Sequence, residues 1–160
     1  MNPFFSHFQK LLLRPWPFRW FLATHMPLGL FMGLRLIQFQ SYRSQVTVPF
    51  KKLNQNHLNG LHFAVLSMAA ELSTSVMAFG QVYKREPKII ASITRCEGQF
   101  YKKATDKITF TCQDGKLIET AIEKALKGEQ NVMIQCTAVG NNTHHEMVAA
   151  FTITWSFKVA

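Results

Sequence analysis

Residues 63–79 read FAVLSMAAELSTSVMAF, with one formal charge, Glu71, in the whole stretch. Its other polar residues are Ser67, Ser73, Thr74 and Ser75, and only Val65, Thr74 and Val76 are β-branched. That length and that scarcity of branching favour a helix over a strand. A helix apolar on nearly every face belongs inside a protein, so the flanking sequence must supply the elements that enclose it.

On the C-terminal side, past Pro87, the pattern turns to strands. Lys88–Tyr101 is β-rich, and Thr105–Cys112 alternates, with Ile108, Phe110 and Cys112 on one face. Lys116–Leu126 carries a helical stripe of Leu117, Ile118, Ala121, Ile122, Ala125 and Leu126, with Gly128 as a stop. Asn131–Val139 reads as a strand, Gly140-Asn141-Asn142 as a turn, and His145–Val159 as a long strand whose odd positions from Met147 onward are apolar. On the N-terminal side, Ser41–Phe50 reads as a strand, and Lys51–Leu61 as an Asn-rich loop ending in Asn59-Gly60. Segregated helices and a strongly curved antiparallel sheet wrapped around one apolar helix make an α+β fold.

The first 52 residues hold seven basic residues and no acidic one, against eleven basic and nine acidic in the rest, so +7 of the net +9 lies there. Punctuated by Pro15, Pro17 and Pro27, this part reads as two or three short amphipathic helices. They are expected to cap the core or to lie on a partner, peripheral membrane contact included. Residues 1–40 are thus taken as a helical extension and residues 41–160 as the main domain. Trp20–Leu34 is uncharged, but its fifteen residues, interrupted by His25, Pro27, Gly29 and Gly33, fall short of the ~20 that a span needs. No small-residue cleavage site follows it. Cys96, Cys112 and Cys136 form no Cys-x-x-Cys pair, which argues against a disulfide framework or a metal site and fits a reducing cytoplasm.

Glu71 is the sharpest chemical feature. A carboxylate within a buried helix must be paired, hydrogen-bonded or neutralised, since an unpaired charge there costs several kcal/mol. It is a group that does chemistry, one side of an ion pair with a neighbour such as Arg43 or Arg95, or a side chain exposed at a dimer seam. His62 opens the same helix, either as a simple capping or turn residue or beside a site where free N–H groups and the helix dipole favour an anionic oxygen. Asn56 lies in the preceding loop, where its amide can donate to a carbonyl or orient a water. Thr74 and Ser75, one turn beyond Glu71, either position water or satisfy helix carbonyls.

Taken together, Asn56-x-x-Asn59-Gly60-x-His62 with Glu71 nine residues after the histidine resembles the active-site segment of hotdog-fold acyl-CoA thioesterases. The resemblance is strongest to the branch containing the phenylacetate-pathway thioesterases. In that branch an Asn or Gln lies six residues before the histidine, a Gly three before it and an Asp or Glu nine after it. Gly60 stands two before. The resemblance covers about Arg43–Val159, and the basic N-terminal helices look like an extension of a less characterised bacterial subgroup. Where the family has His-Gly-Gly this chain has His62-Phe63-Ala64. Phe63 keeps the backbone N–H, but its ring occupies space that glycine leaves open.

The resemblance implies a hotdog fold and hydrolysis of an acyl-CoA or acyl-carrier thioester without a cofactor. Glu71 would serve as general base or nucleophile, the Phe63 N–H as oxyanion donor, Asn56 as holder of the carbonyl or water, and His62 as shaper of the loop. Gly60, Thr74 and Ser75 would line the substrate site. It also implies a homodimer or dimer of dimers, with the carboxylate of one subunit facing the helix start of the other. Hotdog dehydratases fit less well, because Phe63–Ala70 lacks their proline and glycine. A non-catalytic acyl-CoA-binding protein is the alternative that Phe63 motivates. Nucleic-acid binding, suggested by the pI near 9.8, lacks any recognised motif and is not expected.

Overall fold

The computed structural model describes residues 1–160. The apolar stretch is a helix, α4 (Phe63–Val82), and among its buried residues are Val65, Leu66, Ala69, Leu72, Val76 and Met77. It runs three residues past the expected end and stops at Tyr83. By length and composition α4 could cross a bilayer, yet most of its surface is covered by the protein itself. Six antiparallel strands enclose it: β1 (Arg35–Phe39), β2 (Ser44–Val48), β3 (Ile89–Phe100), β4 (Ile108–Cys112), β5 (Val132–Asn141) and β6 (Met147–Val159), in the spatial order β1-β2-β4-β5-β6-β3. The alternation in β6 places Phe151, Ile153, Trp155 and Phe157 in the core, as the sequence pattern implies. A further helix, α5 (Gly115–Leu126), packs against α4, β5 and β6 through Ile118, Ala121, Ile122 and Ala125.

The N-terminal residues form α1 (Phe5–Leu12), α2 (Pro15–His25) and α3 (Pro27–Met32). Pro15 and Pro27 sit in the first turn of their helices, where a missing N–H costs nothing. The expected helical extension is shorter than 40 residues, because Arg35–Phe39 is a strand antiparallel to β2. Gly33, at φ 79°, closes α3 in the left-handed conformation and turns the chain into β1.

The two sheet edges differ. β1 is short and carries an irregularity between Leu36 and Gln38, which blunts that edge. β3 pairs only with β6, so its other side is unpaired along twelve residues and leaves Ile90, Ile93 and Phe100 exposed. A long edge of that kind, interrupted by one irregularity between Ile93 and Arg95, is a template for another strand.

Candidate active site

The loop before α4 is built to present the helix start. Asn59 adopts φ 59°, a conformation that asparagine tolerates. The Asn56 side-chain Oδ1 accepts from the N–H groups of Leu58 (2.9 Å) and Gly60 (3.2 Å), and the Asn56 N–H donates to Gly60 O at 2.8 Å. A Cβ on Gly60 would meet Lys103 Cγ at 3.1 Å, so the loop packs close against the segment after β3. Asn56 thus spends its oxygen on its own turn, and its Nδ2 has no partner within the chain.

His62 caps α4: its Nδ1 accepts from the Ala64 N–H at 3.1 Å. An accepting Nδ1 leaves the ring proton of the neutral imidazole on Nε2. The N–H groups of Val65 and Leu66 go to His62 O. Of the first-turn donors this leaves the Phe63 N–H without a partner, at the positive end of the helix dipole. The Phe63 ring is 63% exposed and lies against the His62 ring, centroids 4.6 Å apart.

Asn56, Gly60 and Phe63 line one open cavity of about 630 Å³. Phe100, Tyr101 and Lys103 line it too, and sequence reading missed them. Their only signal was a Tyr-Lys-Lys run at the end of a predicted strand. Lys103 has no acidic partner, whereas Lys102 pairs with Glu146 on the surface.

Glu71 is not in that cavity. Eight residues further along α4, it lies about 12 Å from Phe63 along the helix axis. It is half-buried, and neither Arg43 nor Arg95 pairs with it; Arg95 instead pairs with Glu97. Its one side-chain hydrogen bond comes from the Ser75 hydroxyl, which donates to Glu71 Oε1 at 2.9 Å. Burial pushes its pKa above the ordinary glutamate range, and the Ser75 bond partly offsets this. Ser67, one turn before Glu71, lies 3.7 Å from Cys96 Sγ, so this stripe of α4 faces the β3 edge. Thr74 is committed elsewhere: its hydroxyl donates to Glu71 O at 2.9 Å and accepts from Trp155 Nε1 at 3.0 Å. Ser75 therefore acts on the carboxylate directly, and Thr74 ties α4 to β6. No group of three or more His, Cys, Asp or Glu residues is placed to hold a metal ion.

An antiparallel sheet curled around one long helix defines the hotdog class. Solved structures of that class match nearly the whole chain. A Pseudomonas aeruginosa protein of unknown function, described as a thioesterase candidate, is 15% identical, with 92% of this chain and 97% of that one covered and a TM-score of 0.77. A Shewanella oneidensis thioesterase candidate is 13% identical over 97% of this chain and 99% of its own, with a TM-score of 0.74. A Haemophilus influenzae thioesterase is 10% identical over 91% of each chain, with a TM-score of 0.66. Among curated proteins none matches by sequence. The chain belongs to the DUF4442 family, a domain of unknown function, whose model matches residues 14–157.

Proposed function

We propose that this protein hydrolyses an acyl-CoA or acyl-carrier thioester, working as a homodimer or a dimer of dimers. The observation that carries the reading is Glu71, a half-buried carboxylate without a counter-ion whose affinity for a proton is raised. Groups tuned in this way suit a general base that must take a proton and give it back. As a water oxygen attacks the thioester carbonyl carbon, Glu71 takes the water proton. The partner subunit's Phe63 N–H meets the charge that develops on the carbonyl oxygen. When the tetrahedral species collapses the C–S bond breaks and the proton on Glu71 passes to sulfur, giving a carboxylic acid and a free thiol. Acting instead as nucleophile, Glu71 would attack the carbonyl carbon and break the C–S bond, expelling the thiolate and leaving an acid anhydride. Water would open it to the free acid and the Glu71 carboxylate, with the released proton going to the thiolate. The Asn56 Nδ2 donates to the carbonyl or the water, and Lys103 at the cavity mouth attracts the phosphates of coenzyme A.

The thioesterase and thioesterase candidates among the structural relatives support this reading. Release of free thiol from a panel of acyl-CoAs tests it. Turnover by the wild type, reduced about 100- to 10,000-fold in Glu71→Ala, is the expected result. One observation favours a second reading: the Phe63 ring stands where close approach to the N–H would be easiest without a side chain. Acyl-CoA binding with no turnover in either protein would make this an acyl-binding protein and not a hydrolase.

A further inference from the structure

We propose that the N-terminal extension docks this protein onto an anionic lipid bilayer. α2 is apolar on two faces. Phe18 and Leu22 face the core, while Trp16 and Trp20, four residues apart on one stripe, are 81% and 73% exposed. Leu28 and Phe31 of α3 are 60% and 65% exposed as well. Tryptophan left in water gains by moving to the boundary between headgroups and acyl chains, where its ring is buried and its N–H stays wet. On its other flank Trp20 borders an apolar groove of about 420 Å³ lined also by Leu11, Phe21 and Phe79.

The charges fit the same partner. The Arg19 guanidinium lies 5.9 Å from the centroid of the Trp16 ring. Between the α1–α2 turn and the β1–β2 edge is a cavity of about 890 Å³ whose charged lining is Arg14, Arg19, Arg35, Lys51 and Lys107, with no acidic residue. An anionic headgroup layer complements that cluster, and the exposed indoles beside it supply the apolar half of the contact. The bilayer-length helix α4 takes no part, because it lies inside the sheet. Exposed Leu28 and the aliphatic rim of the groove favour a lipid surface over nucleic acid, which would use the cations but not the aliphatic side chains.

Flotation of the full chain with vesicles tests this. The protein should float with equimolar phosphatidylcholine and phosphatidylglycerol but not with phosphatidylcholine alone, and added salt should weaken the association. Replacing Arg14 and Arg19 by Gln should lower the partition coefficient about fivefold per charge, hence roughly 25-fold together. The double variant Trp16→Ser, Trp20→Ser should lose flotation while melting like the wild type. A readout that needs no variant comes from fluorescence, because the third tryptophan, Trp155, is only 2% exposed. Anionic vesicles should blue-shift the emission and shield Trp16 and Trp20 from iodide. Absence of flotation and shielding, or equal flotation with both vesicle types, overturns the proposal. So does a double tryptophan variant that floats normally or that changes only the oligomeric mass in light scattering, which would make the face a contact between copies.

Discussion

At Glu71 two effects of opposite sign set the proton affinity: partial burial disfavours the carboxylate, and the Ser75 hydroxyl, donating at 2.9 Å, favours it. Burial wins, so the acid limb of the kcat/KM profile should lie at a higher pH than an ordinary glutamate gives, with activity rising as Glu71 ionises. Ser75→Ala removes the stabilising bond and should move that limb further up; an unchanged limb would separate Glu71 from the rate. The same group bears on stability. Because its folded pKa is raised, the folded state holds more protons than the unfolded one between the ordinary and the raised value, and stability falls as pH rises through that window. Glu71→Gln carries no charge, so it should melt above the wild type at neutral pH, with the difference shrinking in mild acid. The oxyanion donor has an equally clean variant. Phe63 is the first residue of α4, its N–H is unpartnered, and His62 before it is extended at φ −66°, ψ 137°. Proline fits both the position and its neighbour, so Phe63→Pro should fold normally yet lower kcat by about 100- to 1000-fold in the thiol-release assay.

Among the elements, α1 has a seat that depends on a single missing atom. A Cβ on Gly80 of α4 would come within 2.6 Å of the Phe5 ring, which also packs 5.2 Å from the Phe39 ring. Gly80→Ala should therefore displace α1 and destabilise the protein by about 1–3 kcal/mol, measurable by denaturant unfolding. An unaltered midpoint would mean that Phe5 turns aside freely. How legible each element was in the sequence follows from where its partners lie. α4 and β6 declare themselves, one by unbroken apolarity and the other by strict alternation, because each is buried along its length. β1 does not. It is an edge strand of five residues with Ile37 facing water, so it lacks the alternation of a core strand and reads as part of a basic helical stretch. Within the site, His62 as a cap and Glu71 as a buried acid could be read from their place on the helix. The Asn56 oxygen is committed within its own turn, to N–H groups two and four residues on, whereas the approach of Tyr101 and Lys103 to Gly60 joins residues some forty positions apart, which no local pattern encodes.

On the scale of the whole molecule, the oxyanion donor and the base of one chain are about 12 Å apart along α4, too far to act on the same carbonyl. The stripe bearing Glu71 faces the β3 edge, and that edge is unpaired over twelve residues. A second copy pairing there in two-fold symmetry would bring each Glu71 toward the other chain's helix start and complete two equivalent sites. That arrangement has a consequence which no single-chain site shares. Glu71→Ala and Phe63→Pro, each inactive alone, spoil different halves of a site. In a mixed dimer one site combines the intact Glu71 of one chain with the intact helix start of the other, while the second site carries both defects. Random mixing makes half the dimers mixed, so about a quarter of the wild-type activity should return when the two variants are unfolded together and refolded as a mixture. If the mixture stays as inactive as its components, base and oxyanion donor do not come from different chains, and the site has to be assembled within one.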